Sequence, residues 1–148
     1  MSNRELSKWD YRFMRIAHEV ASWSKDPRRK VGAVITSLDR RQQAIGYNGF
    51  PSGIEDSEVR LSDPVIKNLL VVHAELNALL NAPFVVKGCP LYCTRFPCVE
   101  CTKAIIASNI GAVIVPESAY DPASKWQPEM ANELLLEAGI TVILIPGE

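Results

Sequence analysis

From residue 69 to residue 145 the sequence alternates between helix-length amphipathic segments and short apolar runs of strand length, which restricts the folds open to it. Residues 69–82 read as a helix ended by Pro83, and 91–94 as a short strand. Residues 98–108 read as a helix that starts after Pro97 and leaves through Ile110-Gly111. Residues 112–115 form a second strand. Residues 127–138 form a helix opened near Pro128 and closed by Gly139, and 140–145 form a last strand. Strict helix–strand alternation predicts a mostly parallel sheet covered on both faces, an α/β fold.

The first half adds an antiparallel pair. Residues 31–36 are rich in β-branched side chains, Asp39-Arg40-Arg41 supplies a turn, and 43–47 return. Before this hairpin, residues 7–24 read as a helix ended by Pro27. Ser7 and Asp10 have the spacing of a capping box. Trp9, Phe13, Ile16, Val20 and Trp23 fall on one helical face. Asn48-Gly49-Phe50-Pro51-Ser52-Gly53 has loop chemistry. Residues 54–68 are polar and weakly patterned, a long excursion holding one helical turn, and such excursions are often functional. Without repeats or low-complexity tracts, the 148 residues are expected to form a single domain spanning 1–148.

Bulk properties exclude several classes of function. Sixteen basic and 17 acidic residues leave a net charge of −1, which gives no bulk attraction for nucleic acid. There is also no basic–aromatic stripe of the kind that single-strand binders use. No apolar run approaches the roughly 18 residues that cross a bilayer. Residues 1–10 are polar and lack the apolar core of a signal peptide, so a cytoplasmic protein with no membrane partner is expected. Cys89, Cys93, Cys98 and Cys101 all lie within thirteen residues. A disulfide framework spreads its cysteines along the chain, so this clustering points to metal or catalysis.

Two segments carry the chemistry: His73-Ala74-Glu75 and Pro97-Cys98-Val99-Glu100-Cys101. Together they match the H-x-E…P-C-x-x-C signature of zinc deaminases. One imidazole and two thiolates give a catalytic zinc three ligands and leave one position for water. Zinc makes that water acidic enough to yield hydroxide near neutral pH. Two cysteines three apart at a helix start can face one ion, and the positive helix end favours thiolate. Glu75, two residues after His73, is placed to move protons among water, ring nitrogen and departing ammonia. A closed structural site would need a fourth ligand, for which Cys89, Cys93 and His18 are the other Cys and His candidates. Cys89 and Cys93 read as buried structural cysteines.

The whole chain resembles the deoxycytidylate (dCMP) deaminase family of the cytidine deaminase-like superfamily. The resemblance rests on Lys30-Val31-Gly32-Ala33-Val34-Ile35, on Gly46-Tyr47-Asn48-Gly49-Phe50-Pro51, on His73-Ala74-Glu75-Leu76-Asn77-Ala78 and on the run from Leu91 through Arg95-Phe96-Pro97-Cys98 to Cys101. The zinc segments are common to the superfamily; Gly-Tyr-Asn-Gly together with Phe-Pro-Cys narrows it to dCMP deaminases. The resemblance implies a three-layer α/β/α sandwich with a five-stranded mixed sheet and a homo-oligomer, a hexamer or a dimer. It implies hydrolysis of dCMP to dUMP and ammonia, which supplies thymidylate synthesis. It also implies a role for Asn48 on the sugar, for the Ala74 backbone on the base, and for Tyr120 beyond the end of a strand.

A nucleotide phosphate needs cations or backbone amides, for which Arg28, Arg29, Lys30 and Arg95 are candidates; Pro97, two residues after Arg95, is expected to bind substrate as well. The chain departs from the family between Ile54 and Val72. It has no histidine there and no cysteine before Cys89, so one zinc ion per chain is expected. The same altered insert bears on dCTP and dTTP, the effectors that the resemblance implies. Other free cytosine nucleosides and nucleotides, among them dC, dCTP and 5-substituted dCMP, are the alternative substrates.

Overall fold

The strands meet their neighbours through residues that alternate between two cores, and this alternation sets the layers. The computed structural model describes residues 4–148; the reading of residues 1–10 therefore falls partly outside the described residues. The strands are β1 (Gly32–Thr36), β2 (Gln43–Tyr47), β3 (Pro90–Cys93), β4 (Ala112–Pro116) and β5 (Thr141–Ile145), in the spatial order β2-β1-β3-β4-β5. β1 pairs antiparallel with both β2 and β3, and β3, β4 and β5 run parallel. The five-stranded mixed sheet matches the expected fold class.

Val34, Tyr92, Ile114 and Ile143 form one row of register partners across four strands. With Phe13, Met14 and Ala17 they make one core under helix α1 (Lys8–Ala21). The next row, Ile35, Leu91, Val113 and Val142, faces the opposite way. It packs under helices α4 (Ala74–Asn81), α5 (Val99–Ala107) and α6 (Pro128–Glu137) through Ala78, Ile105, Ala131 and Leu135. One helix on one face and three on the other complete the three layers.

The capping box of α1 is present: the Asp10 carboxylate accepts the Ser7 N–H at 2.8 Å. Asp10 does more than cap. It is buried, paired with Arg4, and accepts the Tyr92 hydroxyl at 2.7 Å. The buried face of α1 differs from the aromatic stripe read from sequence. Ile16 and Trp23 are exposed, and Phe13, Met14, Ala17, Val20 and Ala21 are buried. The small residues win because Gly32 of β1 sits directly beneath them. A Cβ on Gly32 would collide with the Ala17 carbonyl and the Ala21 amide.

Two further expectations are corrected. Residues 54–68 hold two short helices, α2 (Glu58–Ser62) and α3 (Pro64–Leu70), with Ser57 and Asp63 as N-caps. The predicted helix 69–82 is broken. Its first residues close α3, and Val72 leaves the helix to exchange two backbone hydrogen bonds with Gly49, at 2.8 and 3.1 Å. Helix α4 then restarts at Ala74 with His73 as its N-cap.

α4 is held against the edge strand β2. A Cβ on Gly46 would strike the Ala74 carbonyl and the Ala78 amide. Asn77 Nδ2 donates to the Tyr47 carbonyl at 2.8 Å and Asn81 Nδ2 to the Ile45 carbonyl at 3.0 Å, satisfying acceptors on the open edge. Gly46→Ala is expected to lower the unfolding free energy by about 3 kcal/mol through overpacking against backbone. Gly49→Ala, with nothing within 4 Å of the added methyl, should change it by no more than about 0.5 kcal/mol. Urea unfolding of both variants decides, and equal effects would refute the close-approach account.

Candidate active site

The break before α4 places His73 where a helix begins rather than inside one, and Cys98 has the same position at the start of α5. Two helix N-termini therefore converge on one point. His73 Nδ1 lies 3.4 Å from Cys98 Sγ and 3.4 Å from Cys101 Sγ. The ligand atoms of the three residues lie within 4.8 Å of one another, and they are the group among the described residues that could hold a metal ion. A tetrahedral zinc with Zn–N of about 2.0 Å and Zn–S of about 2.3 Å sets N···S at about 3.5 Å, close to these separations. Cys89 and Cys93 are buried free cysteines outside the group.

The charge state of the sulfurs points the same way. The contact with Cys101, together with His73 and the Cys101 amide, lowers the Cys98 thiol to about 4, against a desolvation that opposes it. Cys101 is driven up, by Cys98 first and by burial next. Two close sulfurs thus share one proton, because two unscreened thiolates repel. A divalent cation removes that conflict, so the donor set fits zinc. The contact with Cys98 also raises the His73 ring above the ordinary histidine range.

A cavity opens beside the group, with His73, Ala74, Glu75 and Cys98 in its lining. Glu75 is buried, and its desolvation above all pushes the carboxyl above the ordinary range. His73 provides no side-chain cap for α4, which leaves the first amides of that helix for another acceptor; Ala74 among them borders the cavity.

The rest of the lining includes Arg29, Arg95, Asn48, Phe96 and Trp126. Of the cations read from sequence, Arg95 lines the cavity, whereas Arg28 and Lys30 are exposed and do not; their neighbour Arg29 does. The Arg29 guanidinium lies 5.1 Å from the Trp126 ring, whose plane meets the His73 ring edge-on at 5.8 Å. Burial first and then Arg95 lower the Arg29 pKa, as expected of two cations facing one space. Asn48 borders the cavity but its amide is engaged by protein. Oδ1 accepts the Val31 N–H at 2.9 Å, and Nδ2 donates to the Arg29 carbonyl at 2.7 Å. Tyr120 and Pro97 are not in the lining. Tyr120 stands behind it, edge-on to Phe96 at 5.1 Å, and Pro97 is buried just before Cys98. Trp126 and Lys67, which also borders the cavity, were absent from the sequence reading; each is a single residue in a stretch without a motif.

Zinc removal and replacement should follow these geometries. Cys98→Ser and Cys101→Ser are expected to lose most of their zinc, while Cys89→Ala keeps it. Metal uptake must expel the Cys101 proton and, near neutral pH, a proton from the raised His73 ring as well, so binding should release more than one proton and weaken as pH falls. Metal analysis and calorimetry in buffers of differing ionisation heat measure both, and full zinc retention by Cys101→Ser would refute the ligand set.

Similarity to known proteins follows the same residues. The model of the cytidine and deoxycytidylate deaminase zinc-binding region matches residues 7–117. An uncharacterised deaminase from the luxG 3′ region of Aliivibrio fischeri is 40% identical over 143 residues, 95% of this chain and 96% of that protein. The deoxycytidylate deaminase of Homo sapiens is 38% identical over 140 residues, covering 90% of this chain and 78% of the human protein. The structure of the dCMP deaminase from cyanophage S-TIM5 in complex with dCMP and dUMP superposes with a TM-score of 0.75 at 25% identity, over 96% of this chain and 100% of that one. The chain belongs to the cytidine and deoxycytidylate deaminase family of zinc-binding proteins.

Proposed function

We propose that the protein hydrolyses dCMP to dUMP and ammonia. The observation that carries this reading is one cavity, beside the His73–Cys98–Cys101 group, whose lining joins buried Glu75 to the two cations Arg29 and Arg95. Relatives named deoxycytidylate deaminase support the same substrate. His73, Cys98 and Cys101 would hold the zinc, which when bound acts as a Lewis acid toward water and makes hydroxide accessible near neutral pH.

The chain's own residues do the rest. Glu75 accepts a proton from the attacking water and returns it to the ring nitrogen of cytosine; a second transfer lets the C4 amino group leave as ammonia. Its raised proton affinity suits a group that must hold that proton between transfers. The α4 amides at Ala74 offer donors to the base carbonyl. Trp126 and Phe96 give the cavity aromatic walls that limit water around the base. Arg29 and Arg95 face the phosphate dianion, where charge-assisted hydrogen bonds are strongest. Asn48 reaches the sugar only through the lone pair left on Oδ1. We further infer a cytoplasmic homo-oligomer with dCTP and dTTP as candidate effectors, on the strength of the family resemblance; among the described residues no helix is long and apolar enough to cross a membrane.

Ammonia release from dCMP, dC and dCTP, with zinc measured in each sample, tests the proposal. Wild type should prefer dCMP. Glu75→Ala should lose roughly 10²–10⁴-fold in rate with zinc retained, as expected for loss of a general acid–base. Arg95→Ala should raise KM for dCMP and leave dC unaffected. Zinc-loaded wild type inactive on all three substrates, with and without dCTP added as activator, would refute the dCMP reading. Full activity of Glu75→Ala would refute the proton-transfer role.

A further inference from the structure

Four polar side chains outside the metal group, Ser24, Asp26, Asn48 and Lys67, are buried and bonded to one another, and all but Ser24 border the cavity. Lys67 Nζ pairs with Asp26 Oδ2 at 2.8 Å, with the two side chains 10% and 5% exposed. Asp26 Oδ1 accepts the backbone N–H of Arg28 at 2.8 Å and of Arg29 at 3.0 Å. Asn48 Nδ2 donates to the Arg29 carbonyl at 2.7 Å and reaches Asp26 Oδ2 at 3.4 Å. Ser24 Oγ donates to the Asn48 carbonyl at 2.8 Å and accepts the Asp26 N–H at 3.2 Å.

Arg29 is therefore clamped at both ends of its own residue, N–H and carbonyl, by buried side chains. Its neighbours are not: neither Arg28 nor Lys30 has its carbonyl held this way by a side chain in the network. Three consecutive cations thus become one that is aimed and two that face solvent. The clamp depends on a charge. An isolated buried carboxylate would be strongly disfavoured, and removing one partner of a buried pair is far more damaging than replacing both. Burial pushes the Asp26 carboxyl up, yet the bonds from Lys67, Arg28 and Arg29 outweigh it and hold it below the usual range. Lys67 comes from α3, within the excursion that sequence left without a role.

We propose that Lys67 is a positioning residue: by holding Asp26 ionised and in place, it fixes Arg29 over Trp126 so that the guanidinium meets the nucleotide phosphate. This rests on the nucleotide monophosphate reading of the cavity. It assigns a purpose to a buried ion pair that adds little to stability on its own account.

The test compares wild type, Lys67→Met, Lys67→Arg, Arg29→Ala and the Lys67→Met/Arg29→Ala double variant on dCMP and deoxycytidine. Lys67→Met should raise KM for dCMP about tenfold, on the scale of one charged hydrogen bond, with kcat within about twofold. Its effect on deoxycytidine should be slight, Lys67→Arg should recover most of the loss, and Lys67→Met should add nothing in the Arg29→Ala background. Trp126 emission, isolated by Trp9→Phe and Trp23→Phe, should shift alike in Lys67→Met and Arg29→Ala.

Should Lys67→Met fail to fold, adding Asp26→Asn removes both charges, and the same rise in KM is expected. Equal losses on both substrates, or full additivity with Arg29→Ala, would overturn the proposal. A wild type that ignores dCMP would sink the substrate reading alone. The emission arm would then still decide the clamp, and unchanged Trp126 emission in Lys67→Met would overturn it.

Discussion

The site depends on how closely α4 lies against β2. Gly46 leaves the helix backbone nothing to ride over, so Ala74 and Ala78 seat directly on the strand. That contact fixes the first turn of α4 in depth, and with it His73, Ala74 and Glu75. Asn77 and Asn81 fix it along the strand by bonding to β2 carbonyls. The bridge between Val72 and Gly49 sets the point at which the helix may begin. A longer helix through residues 69–82 would carry the His73 ring around by one helical step per residue and separate it from the cysteines. The register of one short helix therefore decides whether a metal group exists.

The cation Arg29 is placed on another principle. No helix or strand carries Arg29; it sits in the connection between α1 and β1. Connections of this kind hold a side chain in place only when their backbone groups are satisfied from behind. Here Asp26 of the connection and Asn48 of the loop after β2 do so, and Lys67 of α3 holds Asp26 in turn. The excursion at 54–70 thereby becomes part of the site without touching the metal group. Rigid elements place the chemistry and a buried polar network places the cation.

Much of this was legible in the sequence, and the limits have physical causes. The metal group could be read because its residue types are rare and their spacing is dictated by one ion. The sheet could be read because its strands are short, β-branched and bounded by Gly and Pro. The break at residues 71–73 could not. Leu69, Leu70, Val71 and Val72 continue a helical apolar pattern, and only the distant Gly49 backbone competes for them. The start of α3 had a local signal, Asp63-Pro64, an N-cap followed by proline, which the reading of 54–68 as a weakly patterned excursion passed over. The buried face of α1 was misread because Ala17 and Ala21 are weak hydrophobic signals. They are buried for their small size, against Gly32, and not for their apolar area. Among Arg28, Arg29 and Lys30 nothing local distinguishes the middle residue; tertiary hydrogen bonds to its own peptide groups do.

Placing both His73 and Cys98 at helix N-caps has an electrostatic consequence. The positive ends of α4 and α5 point toward the sulfurs, and the amide of Cys101 approaches Cys98 Sγ at 3.4 Å. Added to the larger effects of the Cys101 side chain and the His73 ring, this ionises one sulfur. It does not suffice for two, since Cys98 is lowered while Cys101 is raised. A cation completes the pair and leaves the group near neutral: two thiolates against two positive charges. Glu75 beside it then carries the local negative charge, when ionised, in a buried setting that favours its protonated form. The cavity as a whole keeps the excess positive charge of Arg29 and Arg95, because the charge of Lys67 is spent on Asp26. A protein with net charge −1 can therefore draw a phosphate dianion into one cavity through local placement alone.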